Sequence, residues 1–213
     1  MQVIGKIPLR LVETAIHFLS LSAHKFHGPK GVGALYIKAG ARFLPSLIGG
    51  SHEGGRRAGT ENVASIVGLG KAAERAGETI AEEGTRIGVM RDRFERILGE
   101  RISGVTINGA QARRLSNTTS VSFEGVEAQA ALMLLDRSGL CCSAGSACRT
   151  GSADASHVLK AMHLSDERAR GTIRFSFGRF NSEADLAKAC ELLPEVIGKL
   201  RRLEAPLAPA SAV

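Results

Sequence analysis

The amino-acid sequence predicts an α/β or α+β organisation, because short apolar strands alternate with amphipathic helices along its 213 residues. Two further observations support a globular fold. The chain is long enough to form one large domain or two small ones around a buried core. Its hydrophobic content of 44% and its mean hydropathy of +0.02 are ordinary for a soluble globular protein.

The first part of the chain contains two predicted strands and a glycine-rich loop. Ile16–Ser22 is short, apolar and partly alternating, and it ends just before Lys25. The Gly/Pro-punctuated turn HGPKGVG separates it from a second strand, Ala34–Ile37. After the glycine-rich residues 49–59, Thr60 is predicted to cap a helix, because its hydroxyl can accept a hydrogen bond from a first-turn amide.

The second part begins with a long amphipathic helix. Apolar residues at helical spacing predict a helix from about Ala81 to Arg101, with one stripe formed by Ile87, Met90, Phe94, Ile97 and Leu98. Strands and helices then alternate. Strands are predicted at 105–108, 118–123, 140–142 and 172–177, and helices at 127–137, 156–162 and 182–203.

The composition argues against a nucleic-acid or membrane partner. The net charge is +7, and residues 1–80 hold ten Lys/Arg against five Asp/Glu without a run of like charges. We interpret this excess as a solvated surface or as a site for a small anion. With no Trp and one Tyr, an aromatic platform for bases is not expected. No apolar run approaches the ~18 residues that a membrane span requires.

The four cysteines indicate a reducing compartment. The first residues, MQVIGKIPLR, do not form a secretory signal, so the cytoplasm is the expected location and disulfides are not expected. C-x-x-C spacing is absent, so no metal site is predicted. Cys141 and Cys142 lie on the predicted apolar strand at 140–142 and are predicted to pack, and Cys190 is predicted to be a core residue of the last helix.

Two polar clusters in the first part could bind a cofactor. Ser22, His24 and Lys25 end a predicted strand, where ligands gather in open α/β sheets. A partly desolvated lysine there can form a Schiff base with an aldehyde cofactor, although a surface lysine at a turn has the same pattern. Arg56 and Arg57 precede Thr60, and this group predicts either a phosphate site at a helix N-terminus or a capped helix with solvated arginines.

Two residues in the second part could act on a substrate. Cys148 lies among Gly and Ser residues beside Arg149, which favours the thiolate, so a mobile, exposed, nucleophilic thiol is predicted. Arg174 alternates with apolar residues on a predicted strand and must face solvent or be paired, because an unpaired buried charge is costly. Its guanidinium suits a substrate carboxylate.

Taken together, four sequence blocks resemble cysteine desulfurases. The segments SLSAHKFHGPKGVGALYI, RRAGTENVASIVGLG, SAGSACRTGS and GTIRFSFGRF occur in the order and approximate spacing of the NifS/IscS group. Those enzymes are class V, fold-type I pyridoxal-phosphate enzymes, and the likeness runs from Gln2 to about Leu203. The resemblance implies a slice of the large cofactor-binding domain over residues 1–80, a complete small α+β domain over 81–205 and a disordered tail over 206–213.

The resemblance also implies roles for the cofactor-binding residues. Lys25 matches the lysine that binds pyridoxal 5'-phosphate covalently, and Ser22 and His24 match ligands of the cofactor phosphate. Thr60 matches a phosphate ligand contributed across the interface of a homodimer, and Gln2 matches the glutamine that contacts the oxygen of the pyridoxal ring.

For the reaction, the resemblance implies conversion of L-cysteine to L-alanine. Arg174 matches the arginine that binds the substrate carboxylate, and Lys25 matches the residue that moves the α-proton. Cys148 matches the cysteine that takes the sulfur as a persulfide and delivers it to an acceptor or scaffold protein for iron–sulfur cluster assembly. No intrinsic metal is implied, apart from transient ligation of such a cluster by Cys148.

The resemblance covers the carboxy-terminal part of the family, whose members are nearly twice this length. Their amino-terminal half supplies an aspartate that pairs with the pyridine nitrogen and a histidine that stacks on the ring. We therefore expect this polypeptide to be inactive by itself, whether it is a gene fragment, a chain with a misassigned start or one half of a split enzyme. The alternatives are a selenocysteine lyase or another class V enzyme, and a non-catalytic remnant that binds a sulfur acceptor or scaffold.

Overall fold

A computed structural model describes residues 2–144 and 156–204 of the chain. The chain divides into two compact units, Met1–Gly84 (unit 1) and Thr85–Val213 (unit 2). Unit 1 contains a two-stranded sheet and unit 2 a four-stranded sheet. The predicted tail, 206–213, and the segment that holds Cys148 lie outside the described residues.

Unit 1 is organised around an antiparallel hairpin. Strand β1 (Phe18–Ser22) pairs with β2 (Gly33–Ile37), with Phe18 opposite Ile37 and Ser22 opposite Gly33. Both strands lie where the sequence predicts them. Two short 3₁₀ turns, Leu11–Glu13 and Ala23–Phe26, precede and follow β1. These 3₁₀ turns have no counterpart in the sequence prediction, because their i→i+3 bonds produce no long apolar period.

The predicted start of the long helix and its predicted cap are both wrong. A helical turn, α1 (His52–Gly55), is followed by α2 (Val63–Arg101), one continuous helix of 39 residues that joins the helix predicted after Thr60 to the helix predicted from Ala81. The stretch from 63 to 80 contains glycine but no proline, so nothing breaks the backbone hydrogen bonds there. The cap is Asn62 instead of Thr60, since the Asn62 side-chain oxygen accepts from the Ser65 amide at 3.3 Å.

Unit 2 contains an antiparallel sheet in the order β3-β4-β6-β5. Its strands are β3 (Val105–Ile107), β4 (Thr118–Phe123), β5 (Ser143–Ala144) and β6 (Thr172–Ser176). Its further helices are α3 (Ala128–Arg137), α4 (His157–Ala161), α5 (Asp166–Arg170) and α6 (Glu183–Glu204). Helix α3 follows β4, α4 and α5 lie between β5 and β6, and α6 follows β6. The sequence did not predict α5, which is only five residues long and capped by Ser165.

One face of the unit 2 sheet forms the core. Val121, Phe123, Ile173 and Phe175 point from β4 and β6 towards the helices and are buried. They pack against Met90, Phe94 and Leu98 of the predicted α2 stripe and against apolar residues of α3 and α6. Within the stripe Ile87 is also buried, and Ile97 is partly buried. This arrangement confirms the stripe, and it leaves the opposite face of the sheet to polar residues.

The strand predicted at 140–142 is displaced towards the C-terminus. Gly139 adopts a left-handed φ of 81°, and the Leu140 amide donates to the Leu135 carbonyl at 2.9 Å. These bonds form a glycine cap on α3, so Leu140 ends a helix instead of beginning a strand. As a result, Cys141 is exposed and its predicted packing role is wrong. Cys142 is half-buried against the core, and Cys190 is buried as predicted.

Candidate active site

Lys25 lies in the tight 3₁₀ turn that directly follows β1. Residues three apart share a face in such a turn, and Ala23 and Phe26 are the buried pair. His24 and Lys25 lie between them and are therefore exposed. The turn is closed by a bond from the Gly28 amide to the Ala23 carbonyl at 2.9 Å. The sequence order Ser-Ala-His-Lys-Phe thus anchors the turn by its apolar residues and presents its polar ones.

The amine of Lys25 has the exposed position of a surface lysine at a turn, which is one of the two alternatives that the sequence left open. It is exposed in unit 1, and within the described residues neither Lys25 Nζ nor the His24 ring makes a hydrogen bond or an ion pair. Ser22, at the end of β1, is half-buried. The turn therefore brings a hydroxyl, an imidazole and an amine together within four residues, but it does not enclose them.

Two other segments of unit 1 pack against this turn. A side chain at Gly5 would place its Cβ 3.2 Å from the Cβ of Phe26, so the short turn that begins at Gln2 lies close to the Lys25 turn. A Cβ at Gly68 would lie 2.7 Å from Pro29 Cγ, which places the first turns of α2 against residues just after Lys25. Small residues at both points allow this close approach.

Thr60 is exposed in a loop that is held closed by a carboxylate. His52 Nδ1 lies 3.0 Å from Glu61 Oε2, and the Glu53 amide donates to Glu61 Oε1 at 3.4 Å. A backbone hydrogen bond, and to a smaller extent the hydrogen bond with His52, keep the pKa of Glu61 below its ordinary value. Sequence reasoning missed this closure, because nothing in the local pattern links His52 to a carboxylate nine residues later.

Arg174 is at the centre of the polar face of the unit 2 sheet. It lies between Ile173 and Phe175 on β6, and since those two face the core, Arg174 faces the other way. Its side chain is half-buried, and its guanidinium makes no hydrogen bond or ion pair with any residue that the structure describes. The sequence predicted an arginine that either faces solvent or is paired, whereas the structure shows a half-buried cation without an acidic partner among those residues.

A buried network of polar side chains adjoins Arg174, and the sequence analysis did not single it out. Ser122 Oγ lies 2.8 Å from both Asn108 Nδ2 and Thr172 Oγ1, and Arg168 Nη2 donates to Asn108 Oδ1 at 3.1 Å. The available signal was the alternation of hydroxyl and apolar residues along 118–123 and 172–176. Two residues 60 positions apart cannot be paired from that signal.

An open depression of about 370 Å³ lies on unit 2 beside this network. Its lining includes Thr106, Ser122, Glu124 and Arg168, but neither Lys25 nor Arg174. Within residues 2–144 and 156–204, no three His, Cys, Asp or Glu side chains are grouped so that they could hold a metal ion. None of the helices in those residues is long and apolar enough to cross a membrane.

Comparison with known families gives a match over most of the chain. The sequence pattern described as "Aminotransferase class-V" matches residues 1–188. The chain belongs to this family. Among its class-V relatives, a "Cysteine desulfurase" from Gluconacetobacter diazotrophicus is 50% identical over 202 residues, which cover 95% of this chain and 50% of the relative. "Cysteine desulfurase NifS" from Azotobacter vinelandii is 44% identical over the same share of each chain.

Experimental structures of class-V relatives have the same fold. A NifS-like protein from Rickettsia africae matches with a TM-score of 0.84 and 31% identity, over 92% of this chain and 52% of its own. A second NifS-like protein matches with a TM-score of 0.77 and 34% identity, over 96% of this chain and 50% of its own. The predicted α/β fold class is thereby confirmed. The chain spans about half the length of these relatives.

Proposed function

We propose that this chain is the part of a cysteine desulfurase that carries the cofactor lysine, Lys25, and the sulfur-accepting cysteine, Cys148. The observation that carries the proposal is the 50% identity with a protein of that name over 95% of the chain, which includes both units. The turn that presents Lys25 supports it, and so does the guanidinium of Arg174, which has no acidic partner in the described part of the chain. The reaction needs an amine for the cofactor and a cation for the substrate carboxylate.

The side chains of the Lys25 turn fit pyridoxal 5'-phosphate. An amine can bind its aldehyde, and the hydroxyl of Ser22 and the ring of His24 can donate to its phosphate. We assign Gln2 to the ring oxygen and Thr60 to the phosphate of a second subunit in a homodimer. When bound, the cofactor supplies an electron sink at the α-carbon of the substrate. The exposure of Lys25 means that other chain segments must exclude water from this site.

Three side chains carry the reaction in this proposal. Arg174 orients L-cysteine through its carboxylate, and Lys25 Nζ takes the α-proton and returns a proton to the carbon that loses sulfur. The Cys148 thiolate attacks the substrate sulfur. The carbon–sulfur bond breaks as the sulfur–sulfur bond forms, so L-cysteine and one thiol give L-alanine and one persulfide.

The persulfide on Cys148 determines which kind of partner protein the chain requires. It requires an acceptor protein with a nucleophilic group or an iron–sulfur scaffold, and we propose iron–sulfur cluster assembly as its destination. A thiol that must be reduced in every cycle suits a reducing compartment, which supports the cytoplasm as the location. The binding of a sulfur acceptor to a catalytically inactive chain is the alternative that the experiment below distinguishes.

The test uses a chimera in which residues 2–203 replace the matching half of the Gluconacetobacter relative. We expect the purified chimera to release L-alanine from L-cysteine in the presence of pyridoxal phosphate, and mass spectrometry to find one added sulfur on Cys148. The unfused chain should release none, because its Lys25 is exposed. In the chimera, Lys25→Ala should abolish alanine release, and Cys148→Ala should abolish the persulfide but retain the absorbance of the bound cofactor.

Lys30→Ala provides the matched control, because Lys30 is an exposed lysine just after the same turn. It should leave alanine release unchanged. Alanine release that survives Lys25→Ala, or a persulfide that forms with Cys148→Ala, contradicts the proposed roles. A chimera that binds the cofactor and a sulfur acceptor but never releases alanine would favour the non-catalytic alternative.

A further inference from the structure

Three polar residues form a row across the sheet of unit 2. Arg174 on β6 is paired with Ser120 on β4 and with Ser143 on β5. Directly opposite residues in antiparallel strands place their side chains on the same face, with Cβ atoms about 4.5–5.5 Å apart. Arg174 therefore has a serine side chain on each side at the level of its Cβ, on the same face of the sheet.

The hydroxyl of Ser120 is oriented by its neighbours. Arg168 has only donors, so the Asn108 atom that it contacts at 3.1 Å is the side-chain oxygen. The Asn108 amide nitrogen then donates to Ser120 Oγ at 3.3 Å. Asn108 is only 4% exposed, which holds this geometry in place. Ser120 Oγ is thus already an acceptor, and its own proton is left to donate to another group.

No described residue receives the hydroxyl proton of Ser120 or of Ser143, and neither proton can go to Arg174, whose guanidinium has no acceptor. All three side chains therefore offer donors on one face of the sheet. The common partner of such a set is an anion with at least two oxygens. A carboxylate fits, because each oxygen that bonds one edge of a guanidinium keeps a lone pair for a flanking hydroxyl.

We propose that Ser120 and Ser143 bind the carboxylate of the amino-acid substrate together with Arg174 and thereby fix its orientation. The inference rests on the proposed function and adds two residues to it. Arg174 supplies the charge, and the two serines select a planar carboxylate aligned along the row. Loss of either hydroxyl should weaken carboxylate binding without changing the fold.

The experiment is a titration of the isotope-labelled chain with L-alanine, followed by NMR at the Arg174 Nε–Hε resonance. L-Alanine carries the carboxylate but no sulfur, so the chain binds it without turnover. Hydrogen bonds to charged groups are worth about 1.5–3 kcal/mol, so Ser120→Ala and Ser143→Ala should each raise the dissociation constant about tenfold or more. Ser120→Thr should restore most of the affinity, because it keeps a hydroxyl.

Two controls separate a binding role from a structural one. Ser176→Ala changes an exposed serine two residues from Arg174 on the same strand, and it should leave the dissociation constant unchanged. L-Alaninamide, which lacks the carboxylate, should shift the Arg174 resonance in no variant. A shift with the amide as large as with L-alanine would overturn the proposal.

Loss of the serine roles and loss of the Arg174 role would give different results. If Arg174→Ala abolishes binding but both serine variants bind as tightly as the unmodified chain, the serines have no role and the proposed function stands. If L-alanine shifts the Arg174 resonance in neither the unmodified chain nor the chimera, then Arg174 does not bind the carboxylate and its proposed substrate role fails. The chimera then reports separately whether the desulfurase reaction occurs.

Discussion

The two units differ in the burial of their apolar side chains. Among the described residues, the buried hydrophobic side chains of unit 1 are Ala23 and Phe26, whereas unit 2 contributes all the others. The exposed large hydrophobic side chains have the opposite distribution, since more of them lie in unit 1 than in unit 2. Unit 1 leaves many of them open to solvent, including Leu44 at 84% and Ile48 at 90%.

This difference shows which unit depends on further structure. Unit 2 has a continuous core between a four-stranded sheet and three helices. Unit 1 has a two-stranded hairpin, and such hairpins are marginally stable alone. The residues proposed to bind the cofactor lie in unit 1, the less stable unit. Arg174, proposed to bind the substrate carboxylate, lies in unit 2.

Native-state hydrogen exchange offers the largest test of this contrast. In the whole chain, amides of β4 and β6 should exchange only by global unfolding, whereas amides of β1 and β2 should exchange by local opening. We expect at least about a thousandfold difference in protection, because local opening is far less costly than global unfolding. Equal protection in the two sheets would show that the two units are equally stable.

A buried aromatic residue of unit 2 offers the next largest effect. Phe94 is 1% exposed, and its ring centroid lies 5.0 Å from that of Phe175. Phe94→Ala should lower the free energy of unfolding by about 3–5 kcal/mol, measured by urea denaturation. Phe18→Ala in β1, where Phe18 is 46% exposed, is the matched control and should change it by less than about 1 kcal/mol. Similar losses in both variants would contradict the contrast.

A smaller effect should separate two ion pairs, one in each unit. Arg114 forms two hydrogen bonds with Glu95 in unit 2, at 2.7 and 3.1 Å, and the side chains are 19% and 13% exposed. Glu95→Gln should cost about 1.5–3 kcal/mol in urea denaturation, because it leaves a half-buried guanidinium without its carboxylate. Glu61→Gln in unit 1 should leave the urea midpoint unchanged, since the His52–Glu61 pair is solvent-accessible. A larger loss for Glu61→Gln would reverse the ranking.

The rates at which Cys141 and Cys142 react with a thiol reagent test whether Cys142 is buried at the edge of unit 2. Burial raises the pKa of Cys142 to about 12, with smaller contributions from the negative charges of Cys141 and Asp136. At pH 8, iodoacetamide should therefore modify the exposed Cys141 on the order of a hundredfold faster than Cys142, as read by peptide mass spectrometry. Comparable rates would show that Cys142 is not buried.

The same thiol gives a pH dependence of stability with a definite sign. Because the pKa of Cys142 is raised in the folded chain, its contribution is fully present below pH 9 and is lost as the pH rises towards 12. The urea midpoint should fall over this range, and Cys142→Ala should reduce the fall. An unchanged alkaline slope in that variant would assign the slope to other groups.

Local patterns predicted the parts of the fold that depend on local forces. The stripe from Ile87 to Leu98 and the strand at 118–123 follow from apolar periodicity and lie where the sequence places them. The predicted helix cap at Thr60 was wrong. The cap is Asn62, which lies directly before the first helical residue. The roles predicted for Lys25, Cys148 and Arg174 remain proposals, and Cys148 lies outside the described residues.

The sequence by itself determined the family, the mixed class of the fold and the identity of the side chains available for chemistry, because motifs and periodicity are properties of neighbouring residues. Only the tertiary structure decided that Lys25 is exposed, that His52 meets Glu61, and that Ser120 and Ser143 flank Arg174. Burial and cross-strand register depend on which distant segments pack together. Residues that are far apart in the chain acquire a common site only when the sheet aligns them.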